Sequence, residues 1–72
     1  MNDPLNEQVG GEHYKDCAIQ PVDFIHRNRL GFLEGSIIKR VVRHRSKDKA
    51  KDLRKAIHEL QLLIVMEYGE QP

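Results

Sequence analysis

Apolar side chains recur at three- and four-residue steps along two long stretches of the chain, and each stretch predicts a helix. In the first, about Leu33 to Ser46, the stripe is Ile37, Ile38, Val41 and Val42. In the second, about Lys49 to Tyr68, it is Leu53, Ala56, Ile57, Leu60, Leu63 and Ile64. The connection Ser46-Lys47-Asp48 is short enough to force an antiparallel hairpin, with Asp48 the expected N-cap of the second helix and Gly69 its stop. A shorter helix precedes them, about Pro21 to Leu30. Pro21 has no N–H to leave unpaired in a first turn, Asp23 suits the positive helix end, and Gly31 is the expected left-handed residue that closes it. Val22, Phe24 and Ile25 are its inward residues. His13 to Gln20 reads as an ordered loop or short extended segment with Tyr14, Cys17 and Ile19 turned inward. Residues 1–11 lack periodicity and read as a flexible arm, and residues 69–72 as a tail. The expectation is an all-α fold with one helical domain over 12–68.

The last helix complicates that picture, because Leu62, Val65 and Met66 add apolar side chains on a second side. A helix hydrophobic nearly all round is normally buried on more than one face. A chain of 72 residues has little else to cover it with. The expected cover is another subunit, giving a homo-oligomer joined through the 53–66 region. The alternative is that Tyr14, Ile19 and the N-terminal segment fold over it.

Composition narrows the setting. With 39% hydrophobic and 32% charged residues, the chain has no apolar run that approaches the length of a membrane span. The polar, acidic start lacks the pattern of a secretory signal, so a cytoplasmic location is expected. Cys17 stands alone, which excludes an intrachain disulfide and a cysteine-based zinc cage.

Charge changes the picture more. The net charge is only +1, yet nine bases between Lys39 and Lys55 face just Asp48 and Asp52, so this span carries +7 and the remainder −6. Such separation points to an anionic partner at one end of the molecule, or, more simply, to a solvated hairpin whose lysines confer solubility. At 100° per residue, Ser36, Lys39, Arg40 and Arg43 fall together opposite the apolar stripe, making a basic face. Candidate phosphate ligands are Lys39, Arg43, Lys47 and Lys55, with Lys15 and Arg40 in support. An arginine offers a planar fork and a lysine a point charge. Phe32 and Tyr14 can stack on a base, and His13 adjoins Tyr14.

Known catalytic patterns are missing: there is no Walker-type loop, no G-x-G-x-x-G and no H-E-x-x-H. The four histidines form no metal set, and no catalytic residue or resident metal is assigned. Three carboxylates leave an opening. Asp52 and Glu59 lie two turns apart on one flank of the last helix, and a hairpin that brought Glu34 near Glu59 could make a magnesium site for an enzyme. Glu34 in a first turn also has a simpler explanation in the helix dipole, and Lys55 is a ready ion-pair partner for its acidic neighbours.

The ordered string His13-Tyr14-Lys15, Ile19-Gln20-Pro21, Phe24-Ile25, Asn28, Leu30-Gly31-Phe32, Glu34-Gly35, Ile38-Lys39, Arg43, Lys47 and Asp52-Leu53-Arg54-Lys55-Ala56 resembles a small bacteriophage family of unknown function. The same pattern occurs within a P-loop-less nucleotide kinase of short-tailed coliphages. The resemblance covers about His13 to Leu63 and implies a phage protein that handles nucleotides and assembles into oligomers. Its matching residues that could touch a ligand are His13, Tyr14, Lys15, Glu34, Lys39, Arg43, Lys47, Asp52 and Lys55. Arg40 departs from an aromatic residue common in that family, and Lys49-Ala50 from a glycine-containing turn. The chain is also much shorter than the kinase.

Three functions are carried forward. The first is a phage-encoded homo-oligomer that binds a nucleotide or a short or cyclic oligonucleotide through the basic hairpin without chemistry, as a counter-defence or nucleotide-metabolism factor. The second is an enzyme, either a nucleoside monophosphate kinase or a phosphohydrolase dependent on magnesium. The third is an inhibitor that binds a host defence protein or nucleic acid.

Overall fold

A computed structural model describes Tyr14 and residues 16–71, and the arm expected over 1–11, together with His13 and Lys15, lies outside those residues. Three helices follow one another: α1 (Pro21–Arg27), α2 (Phe32–Arg43) and α3 (Ala50–Tyr68). The fold is all-α, with no strand among the described residues. No helix among them is long and apolar enough to cross a membrane.

α1 begins at Pro21 as expected and stops three residues early. Its end is a two-bond cap in which the N–H of Leu30 donates to Ile25 O at 3.0 Å and that of Arg29 to His26 O at 3.1 Å. Asn28 adds a side-chain bond from Nδ2 to Phe24 O at 2.9 Å. The left-handed residue of this cap is Arg29, with φ 56°, and not Gly31. Gly31 is extended and serves instead as the N-cap of α2. The glycine rule misplaces the stop because Asn28 and the Leu30–Ile25 bond already satisfy the open carbonyls, so an arginine carries the strained backbone.

α2 opens with a capping box: Glu34 reaches back so that its Oε1 accepts the Gly31 N–H at 2.7 Å. That is the first-turn role of Glu34. The carboxylate is exposed and bound to its own helix start, while Glu59 is buried and paired with Arg40, so the two carboxylates have separate partners. Gly35 is buried, and a Cβ there would lie 3.0 Å from Ile25 Cγ2, which is how closely α1 rests on α2. α1 packs against α2 and not against α3.

Residues 44–49 form the turn between the long helices. Lys49 donates its N–H to His44 O at 2.8 Å and takes φ 55°, ψ −132°, a conformation suited to glycine. Asp48 is therefore not the N-cap; Lys49 holds that position and no side chain caps it. α3 ends on Gly69 at φ 67°, whose N–H donates to Val65 O, as its sequence predicts.

The packing departs most from expectation. Apart from Pro21 and Gly35, the only buried apolar residue described is Ala56, 5% exposed. Of the six residues expected to form the core stripe of α3, Leu53, Ile57, Leu60 and Ile64 are exposed, Leu63 is half-buried and only Ala56 is buried. In their place the α2–α3 contact buries Asp52 and Glu59. The stripe on α2 divides as well. Taking Arg40 and Arg43 as facing α3, a 100° step turns Ile38 and Val42 toward the α1 side with Gly35, and Ile37 and Val41 to the side away from α1.

Candidate functional site

The seam between α2 and α3 is built from charge. Arg43, the last residue of α2, places Nη2 at 3.0 Å from Asp52 Oδ1 and Nε at 3.2 Å from Oδ2. Arg40 sits one turn earlier and spans two carboxylates, with Nη1 3.2 Å from Asp52 Oδ1 and Nε 2.5 Å from Glu59 Oε1. The Asp48 N–H completes the set, donating to Asp52 Oδ2 at 3.4 Å. Asp52 is 0% exposed and accepts from two guanidiniums and one amide, which answers the requirement that a buried carboxylate be paired and hydrogen-bonded.

Protonation follows from these contacts. Arg43 above all, against the cost of burial, holds the Asp52 carboxyl below its ordinary value of 3.8. For Glu59 burial opposes the charge, but the Ser36 hydroxyl and Arg40 outweigh it, and the carboxyl lies below its ordinary 4.5. The bond to Asp52 in turn raises Arg43 above its usual value, with the Tyr14 side chain contributing in the same direction. Tyr14, half-buried, therefore approaches the site on Arg43 and not as an open stacking platform.

This geometry sorts the candidate residues into two groups. Arg40, Arg43, Asp52 and Glu59 meet in the seam, with Ser36 and Tyr14 at its margins. Lys39, Lys47 and Lys55 are exposed, and so are Arg45, Lys49, Lys51 and Arg54. The Lys49 ammonium folds onto the Arg45 carbonyl. The basic face expected on α2 is thus half consumed: its two arginines are turned onto carboxylates, and Lys39 is left to solvent. His13 and Lys15 lie outside the described residues. Phe32 is 86% exposed at the first turn of α2.

Rotation about each helix places the open cations. Lys39 lies about 70° from the α3-facing direction of α2, and Lys51 and Lys55 about 70 to 110° from the α2-facing direction of α3. In an antiparallel pair these offsets fall on one side of the hairpin, the side where α1 rests on Gly35. Phe32 is seven residues before Lys39, two turns or about 10 Å along the same side. Arg54 points to the outer edge of α3.

The arrangement offers little for acid–base or metal chemistry. Asp52 and Glu59 are neutralised by arginine and Glu34 caps its helix. No cluster of three His, Cys, Asp or Glu side chains that could hold a metal ion occurs among the described residues. Sequence reasoning missed the pairing itself and the part of Ser36. The signal was present: Arg40 and Arg43 one turn apart on one helix, Asp52 and Glu59 two turns apart on the next, and small Ala56 between them allowing close approach.

A family described as a protein of unknown function, DUF3310, matches the chain over residues 4–61. No curated protein and no solved structure matches.

Proposed function

The chain belongs to the DUF3310 family, and from that starting point we propose that it binds a nucleotide, or a short or cyclic oligonucleotide, on the cationic side of its α2–α3 hairpin. One observation carries the reading. After the seam has used Arg40 and Arg43, a second set of cations, Lys39, Lys51 and Lys55 with Lys47 in the turn, stays open on one side beside an exposed aromatic ring. Lysines there supply movable point charges for phosphate oxygens, and Phe32 offers a face on which a base stacks at about 1–3 kcal/mol. The separation of about 10 Å between Phe32 and Lys39 suits a base at one end and its distal phosphates at the other.

Binding is favoured over turnover because the three carboxylates that could act as base or metal ligand have other partners. The natural role of such a protein is to sequester or deliver its ligand. The resemblance to a bacteriophage family and to a phage nucleotide kinase fits a phage protein, and a nucleotide used by the host as a defence signal is one ligand such a protein would take.

Calorimetric titration with mononucleotides, cyclic di- and trinucleotides and short DNA tests the reading. Saturable binding is expected with at least one of them. The doubly substituted Lys39→Glu, Lys55→Glu protein should lose it at least tenfold, Phe32→Ala several-fold, and Arg54→Glu on the outer edge should change it little. Absence of heat with every ligand overturns the proposal, as does equal binding by the double variant.

A further inference from the structure

The side of the hairpin away from α1 is apolar and has no partner within the described chain. Ile37, Val41, Leu53, Ile57, Leu60 and Ile64 form it, and Ile57 and Leu60 at its middle are 56% and 46% exposed. We propose that a second copy of the chain covers this face, in a two-fold dimer whose α3 helices run antiparallel, making a bundle of four long helices.

Three observations identify the occupant. The α3 positions step by four, three and four residues and alternate Leu, Ile, Leu, Ile, which is the spacing of a continuous helix–helix seam and not of scattered surface residues. Among the described residues there is almost no apolar core, since the hairpin interior is spent on Asp52, Glu59 and two arginines. A self-complementary face gives such a chain the apolar burial that its interior lacks. The area is also of the right order: the open parts of Val41, Leu53, Ile57, Leu60 and Ile64 come to roughly 400 Å² per chain, or about 800 Å² for a pair. The flanking Arg54, Gln61 and Tyr68 bring this near the ~1,200 Å² at which stable interfaces begin.

Charge sets the direction. A parallel pairing would hold two spans of +7 side by side, whereas the antiparallel one sets each basic turn beside the other chain's C-terminal end, where Glu67 and Glu70 lie. About a two-fold axis between residues 57 and 60, Ile57 meets Leu60 of the other copy and Leu53 meets Ile64. Both cationic sides then face outward at opposite ends of the assembly.

Sedimentation velocity of the full chain at micromolar concentration should give twice the chain mass of 8.4 kDa. The Ile57→Glu, Leu60→Glu protein should sediment as a single chain, and Met66→Glu, off this face, should remain a dimer. A monomeric parent protein overturns the proposal, the face then being covered by the chain's own N-terminal segment or by nothing. A dimer that survives the double substitution, or is lost with Met66→Glu, overturns it equally. Should the double variant fail to fold, cysteine pairing decides. In a Cys17→Ser background, equal amounts of Ile57→Cys and Leu60→Cys chains should oxidise mainly to the mixed disulfide. Predominance of same-residue links overturns the antiparallel arrangement.

Discussion

Two sides of one helix, α3, have exchanged the roles that their chemistry suggests. The side carrying Asp52, Ala56 and Glu59 is buried against α2, while the side carrying Leu53, Ile57, Leu60 and Ile64 is open. The difference shows that burial is decided by what a partner helix offers and not by hydrophobicity alone. α2 brings Arg40 and Arg43, which would be costly to desolvate unpaired, and two carboxylates at matching levels compensate them. Such a seam adds little to stability compared with apolar packing of the same volume. It fixes the register of the two helices, because guanidinium forks and carboxylates tolerate small displacements poorly.

The largest expected effect comes from breaking the seam at its centre. Asp52→Ala leaves two half-buried guanidiniums without their shared acceptor, and the protein should lose its cooperative thermal transition by circular dichroism. Replacing both Asp52 and Arg43 by Met should restore a transition, since the pair is then removed together. A failed rescue would mean that the network is not the source of the loss. Glu59→Gln comes next. It keeps the shape and removes the charge facing Arg40, and should cost about 2 kcal/mol in denaturant unfolding, against less than ~0.5 kcal/mol for the exposed Glu67→Gln.

Acid should act on the seam in a defined direction. Asp52 and Glu59 have carboxyl groups depressed below 3.8 and 4.5, so the folded state binds fewer protons than the unfolded one. Their contribution is complete above those ordinary values and declines as pH falls through the lower folded ones. Unfolding midpoints should thus be level above about pH 5 and drop steeply below about pH 4. A drop centred near pH 6 would show that these two carboxylates do not set the acid limit.

The smallest effect is a gain. Arg29→Gly relieves a left-handed backbone at the α1 cap and should stabilise by about 1 kcal/mol, leaving the seam and the open face untouched. A loss on this substitution would show that the arginine side chain has a structural role.

These contrasts explain what was legible in the sequence. Helix number, order and approximate limits follow from periodicity and from Pro21 and Gly69, where backbone chemistry is local. The capping role of Glu34 is equally local, since its position in the first turn is what lets it accept the Gly31 N–H. What periodicity could not give is which side of each helix meets which neighbour. Arg40 and Arg43 look solvent-facing on a helical wheel because the wheel omits Asp52 and Glu59 across the gap. The left-handed positions misled for a related reason: both Arg29 and Lys49 stand where glycine rules look for glycine.

Burying Asp52 with Arg40 and Arg43 divides the electrostatics of this small protein into two populations that respond differently to ionic strength. Exposed ammonium groups lie in solvent, where at 0.15 M salt fields decay over about 8 Å, whereas the seam is sheltered from mobile ions. Adding salt should therefore erode attraction for a phosphate ligand while leaving the helical register almost unaffected.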